Sequence, residues 1–259
     1  MSSILQTPYI VWGPIVLVFA RVVALFGTAP VTGAPVLPPT VRVLLGLVIG
    51  WVALSAGIPA TPPPEAVLPL AIIAQVLVGA GIGLLSTLIF NLFHTAGAVL
   101  DAELGFTVAQ VFNPFSAAGT ETLIANWFDA FGTYLFLAVG GVQLMLLAAV
   151  QSLRIVPIDI TQIVVRQGAL AAGIQAFTGS FLIATELAAP IVLALLLIDL
   201  VGAVLGRLMP QLNVLSFNIP VKMWLGIGLV AVALPLMIDA AHLGLLQMGQ
   251  DLTQYLGGI

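Results

Sequence analysis

Six apolar blocks, approximately Tyr9–Thr28, Val41–Ile58, Ala66–Phe93, Leu123–Val150, Gln167–Gly206 and Val221–Ala241, take up most of this chain. Each reaches the ~20 residues that cross a bilayer core, the second only marginally. Of the 259 residues, 61% are hydrophobic and 6% are charged. Soluble domains carry about 25% charged residues, so this chain cannot cover its own surface against water. Its mean hydropathy of +1.23 points the same way. Leu, Val, Ile and Ala dominate the blocks and breakers are few, which predicts helix throughout. A helix satisfies its own backbone in lipid, and the period-two alternation of a membrane barrel is absent. The fold class expected is therefore all-α, an integral membrane helical protein. The first Lys or Arg is Arg21, inside the first block, so that block reads as a retained membrane helix rather than a cleaved signal.

Several function classes drop out. The net charge of -4 is scattered and forms no basic stripe, so nucleic acid is not an expected partner. Cysteine is absent, and His94 and His242 lie far apart with no HExxH around them, so no local metal motif exists and no cofactor is expected. Neither GxSxG nor a Walker A sequence occurs, which argues against an enzyme. Trp12, Trp51, Trp127 and Trp224 fall near block ends and read as interface anchors.

The connections differ in kind. Ala29–Thr40 and Pro59–Glu65 are proline-rich stiff turns. The loops on either side of the fifth block are both net positive, which conflicts with a single crossing under the positive-inside rule. At roughly 60 Å as one helix, that block is long enough to be a hairpin broken near Pro190. Alternatively, some helices pack in protein rather than lipid. The glycines of Gly79-Ala80-Gly81-Ile82-Gly83, Gly140-Gly141 and Gly202–Gly206 suit close helix packing.

Arg21, Asp129, Glu186 and Asp199 lie inside apolar blocks, where a charge costs at least ~2.5 kcal/mol at the bilayer centre. Three readings stay open for them: interfacial or internally paired residues, pairing with a neighbouring subunit, and a proton relay. The connection before the sixth block carries Arg207 and Lys222 and no acid, a basic tip.

Between the third and fourth blocks, Thr95–Val111 predicts a helix of mixed face, ended by Asn113-Pro114, with Thr120 placed to cap the next helix. Phe112–Thr122, FNPFSAAGTET, then reads either as an exposed re-entry turn or as a segment filling a narrow hole. Composition alone favours the exposed turn, since loops run over surfaces.

Specific segments shift that balance. They are Arg21 in VFARVVALFGTAPV, Glu103-Leu104-Gly105, Phe112-Asn113-Pro114 and Met209-Pro210-Gln211-Leu212-Asn213. An Arg-x-x-Pro-Gln pattern at Gly206-Arg207-Leu208-Met209-Pro210-Gln211 extends to Pro220. On these residues the chain resembles the FliR/SctT family of flagellar and type III secretion export gates. The resemblance implies a fold of long, kinked helical hairpins, with a FliP-like part over 1–166 and a FliQ-like hairpin over 167–259. It implies a structural gating subunit in the bacterial inner membrane, at the flagellar basal body. FliP- and FliQ-type subunits, a FlhB/SctU-type subunit, unfolded export substrates and membrane lipid are the partners it implies. Residues 106–120 would plug the closed pore, through Phe106, Phe112, Asn113, Pro114, Phe115 and Ser116. The rival reading is a proton- or cation-coupled small-molecule transporter using Glu186 and Asp199.

Overall fold

The structure, a computed structural model, describes residues 2–30, 38–55, 63–105, 123–159, 167–209, 211 and 214–259. Among them the only regular structure is helix. The elements are α1 (Ser2–Thr28), α2 (Pro39–Ser55), a 3-10 turn (Glu65–Val67), α3 (Leu68–Phe90) and α4 (Leu92–Leu104). There follow α5 (Leu123–Ala138), α6 (Gly141–Ile155), α7 (Gln167–Leu208), α8 (Val214–Val232) and α9 (Leu234–Gly257). This is the all-α membrane fold expected from the blocks. Glu65–Leu104 and Gly168–Leu208 are each long and apolar enough to cross a bilayer. Two bent pairs, Leu123–Ala138 with Gly141–Ile155 (62°) and Phe217–Val232 with Leu234–Gly257 (54°), raise the total to as many as four.

The bends fall where apolarity gives no warning. The fourth block divides at Gly140, whose φ of 93° lies in the left-handed region that glycine tolerates. The fifth block does not divide. It is one helix of 42 residues with Pro190 inside it, so the hairpin alternative is overturned. Its remaining backbone hydrogen bonds hold the rod together across the one that proline cannot make. The helix expected over Thr95–Val111 also differs: α4 stops at Leu104, with Gly105 at φ 81° as its left-handed cap.

By contacts the chain forms two compact units, each drawn from separated stretches: residues 1–89, 140–178 and 245–259, and residues 90–139 and 179–244. The first unit is organised by Arg21, which is 1% exposed. Its Nε donates to Gln75 Oε1 at 2.6 Å and its Nη1 to the Ser152 carbonyl at 2.6 Å. Its Nη2 donates to the carbonyls of Val156 (3.1 Å) and Pro157 (3.3 Å). Gln75 in turn donates to the Ile158 carbonyl at 3.0 Å. These backbone acceptors lie in the last turn of α6 and the residues just after it, where the helix end carries partial negative charge. A buried cation is thus neutralised by a helix end. Around it, Leu17, Val22 and Leu25 of α1 and Ala71, Val78 and Ile82 of α3 form an apolar core. The glycine run in α3 packs as expected: a Cβ on Gly79 would collide with the Arg21 carbonyl, and one on Gly83 with Thr28.

In the second unit α4 and α5 lie in close contact. Leu92, Phe93, Ala96, Gly97, Leu100, Asp101 and Leu104 are the buried positions of α4, a helical stripe. Gly97 meets the backbone of Ala125, while Phe90 and Phe136 stack edge to face at 5.7 Å.

Replacing Arg21 by Met should leave the Val156 carbonyl and Gln75 Oε1 without a donor and weaken the bonding at the Ser152 and Pro157 carbonyls, at a cost on the order of 3 kcal/mol. A lower thermal midpoint of the detergent-solubilised protein measures this. Arg21→Lys should fall between the two, because one ammonium cannot span acceptors on both α3 and the α6 terminus.

Candidate functional site: the stem of the mid-chain loop

The residues expected to form a plug, Phe106, Phe112, Asn113, Pro114, Phe115 and Ser116, lie outside the described residues, as does the cap expected at Thr120. The structure does define the stem from which that segment leaves and to which it returns. Its outgoing end is the last turn of α4. The Gly105 N–H donates to the Ala102 carbonyl at 3.2 Å as the chain turns out of the helix. Its returning end is the first turn of α5.

Asp101 joins the two ends. It is fully buried. Its Oδ1 accepts from the Ile124 N–H at 3.1 Å and its Oδ2 from the Ala125 N–H at 2.7 Å. Those amides belong to the first turn of α5, where N–H groups have no intrahelical partner and the helix end is partly positive. A carboxylate supplied by α4 thereby caps α5. Both of its oxygens are used, which gives the contact a fixed geometry and charge-assisted strength.

The end of α4 is also tied to α8 and α7. Leu104 is buried against Gly226, where a Cβ would collide with the leucine side chain. Glu103 Oε2 lies 3.7 Å from Lys222 Nζ. Lys222, itself only 9% exposed, makes its shorter contact with Asp199 Oδ2 at 2.7 Å. Asn218 Nδ2 donates to the other Asp199 oxygen at 3.1 Å. A buried lysine needs such partners: two acids meet it, and Asn218 holds the nearer one in place. The stem is thus held by a cap, an apolar contact and an ion-pair network within one compact unit.

Most of the charges that stood out in the apolar blocks are satisfied inside the chain. Arg21 is held by carbonyls and Gln75, Asp199 by Lys222, and Asp129 Oδ2 by His94 Nδ1 at 2.7 Å. Of the two residues expected at a basic tip, Arg207 stands exposed in the last turn of α7, whereas the Lys222 ammonium is engaged by Asp199. Glu186 is exposed midway along α7, with no hydrogen-bond or ion-pair partner among the described residues. No group of three or more His, Asp or Glu converges as a metal site among the described residues.

Sequence reasoning missed Asp101 and Gln75. The signal for Asp101 is its register: it lies four positions after Gly97 and three before Leu104, on the stripe that α4 buries. An acid on that stripe needs a donor, and the start of the next helix is a ready source. Gln75, an amide inside an apolar block, is the matching signal for a buried polar partner of Arg21.

The chain is similar to known proteins over most of its length. Residues 13–248 match the family described as Bacterial export proteins, family 1. The flagellar biosynthetic protein FliR of Caulobacter vibrioides is 30% identical over 222 residues, covering 84% of this chain and 87% of that protein. FliR of Aquifex aeolicus is 27% identical over 224 residues, covering 86% and 85%. The surface presentation of antigens protein SpaR of Shigella flexneri is 25% identical over 214 residues, covering 82% of each. With the match running from the first helix into the last, the chain belongs to family 1 of the bacterial export proteins.

Proposed function

We propose that this protein is a structural and gating subunit of a flagellar type III export gate, in which the segment over residues 106–120 closes a conduit for unfolded export substrates. Export follows from the family, and the flagellar assignment rests on the FliR relatives. The gate assembles with FliP- and FliQ-type subunits and a FlhB/SctU-type subunit in the bacterial inner membrane, at the base of the flagellum. Residues 1–166 play the FliP-like part and 167–259 the FliQ-like one.

The observation that carries the gating reading is the clamp of Asp101 on the Ile124 and Ala125 amides. A plug needs a rigid frame and a removable body. The clamp ties the two flanking helix ends together into such a frame. The apolar surface fits assembly. Leu170, Leu208, Trp224 and Val232 are each more than two-thirds exposed, an area that lipid or sister subunits must cover. Nothing in this chemistry calls for catalysis. The small-molecule transporter reading is weaker, because Asp199, which it needs as a cation site, is already neutralised by Lys222.

Deleting Asn113–Ala118 should leave the gate able to assemble while making it leak ions in reconstituted liposomes. A deleted complex as tight as the intact one would count against the plug. Asp101→Ala removes the clamp at a cost of about 2 kcal/mol. A frame loosened by that amount seats the closing segment less firmly. Ion flux should therefore increase in the assembled Asp101→Ala complex, and unchanged flux would show that the clamp does not contribute to closure.

A further inference from the structure

Glu186 stands apart from the other charges in the apolar blocks. It lies nineteen residues after the start of α7 and twenty-two before its end. At 1.5 Å per residue, roughly 28 Å of helix separates it from one end and roughly 33 Å from the other. The stretch Gly168–Leu208 has a hydropathy of 2.6 and exposes Phe181, Leu182, Leu193 and Leu197 around this point. A carboxylate at that depth is expensive unless it is paired.

The same turn carries a second unsatisfied acceptor. Pro190 is four residues further on, and proline has no N–H, so the Glu186 carbonyl lacks its usual i+4 donor. A carboxylate and a freed carbonyl oxygen thus share one turn of an exposed helix. Among the described residues no Lys or Arg of the unit pairs with them. Lys222 is held by Asp199, and Arg207 lies twenty-one residues along the same helix, roughly 32 Å away. His94 is engaged by Asp129, and the Thr185 hydroxyl donates to the Phe181 carbonyl.

Beside Glu186 runs an apolar groove, lined by Thr95 and Val99 of α4 and by Ala184, Thr185, Ala188 and Leu193 of α7. Small side chains at its floor let another helix approach closely. By helical register, Glu186 falls at the lip of this groove, next to Leu193.

We propose that the groove receives an apolar membrane helix of a second subunit, and that a Lys or Arg near the middle of that helix donates to the Glu186 carboxylate and carbonyl. A multi-donor cation suits this pair of acceptors, and the charge match sets the depth and register of docking. This inference rests on the export-gate reading, in which sister subunits cover the chain.

The test uses the complex expressed with its genomic neighbours. A photo-crosslinking residue is placed at Leu193, and the variants Glu186→Gln and Glu186→Lys are purified alongside the wild type. Crosslinking to one partner helix within a turn or two of a Lys or Arg is expected. Complex yield should fall several-fold for Glu186→Gln and at least tenfold for Glu186→Lys. Reversing the charge of the crosslinked basic residue to Glu should restore assembly of Glu186→Lys, which separates pairing from misfolding. Wild-type yield from both variants, crosslinks to lipid alone, or no rescue by the reversed partner would overturn the pairing while leaving the gate reading intact. A wild-type chain that purifies alone, free of any partner, would overturn both.

Discussion

Two of the buried charges in this protein, Asp101 and Arg21, are placed at helix ends. Asp101 sits on the free amides that begin α5, and Arg21 sits on carbonyls at and just past the end of α6. These are the two termini of one bent helical pair, Leu123–Ala138 and Gly141–Ile155. Each side chain has the sign that its terminus favours, negative at the start and positive at the finish. In an apolar setting those terminal groups have no water to turn to, and each one left unpaired is costly. Two charges that would otherwise be a burden thus become the fittings of the fold.

The same economy explains why the ends of α4 and α5 that flank the mid-chain segment are held by polar contacts in so greasy a chain. The last turn of α4 offers an acid to α5 through Asp101, an acid to Lys222 through Glu103, and a leucine to Gly226. Hydrogen bonds and ion pairs fix direction in a way that apolar contacts do not, since hydrophobic contact is nearly indifferent to rotation. A frame that must hold its shape while a segment leaves and returns benefits from directional fastening. The Lys222–Asp199 contact brings the long α7 rod into the same frame.

Long apolar helices with few charges also leave much surface to be covered. α7 runs unbroken through 42 residues, past Pro190, and exposes large apolar side chains along its length. Membership of a bacterial export family makes the chain a component of an export apparatus. Within the rod, the turn of Glu186 and Pro190 is where polarity is left without an internal answer.

The sequence by itself determined the fold class, the apolar blocks and the family, because apolarity and length are properties of single segments and lipid admits only one backbone solution for them. It also marked Arg21, Asp129, Glu186 and Asp199 as charges out of place. It did not show that α7 is one rod, that the fourth block bends at Gly140, or that α4 ends at Gly105. A single glycine or proline permits a break without requiring it, and surrounding packing chooses. Only the tertiary structure decided the partners: Arg21 with the end of α6, Asp101 with the start of α5, and Lys222 with Asp199. Those pairings join residues from 23 to 136 positions apart. Separations of that size leave no periodic trace in a linear chain, since they depend on which helices pack together rather than on what any one of them is made of.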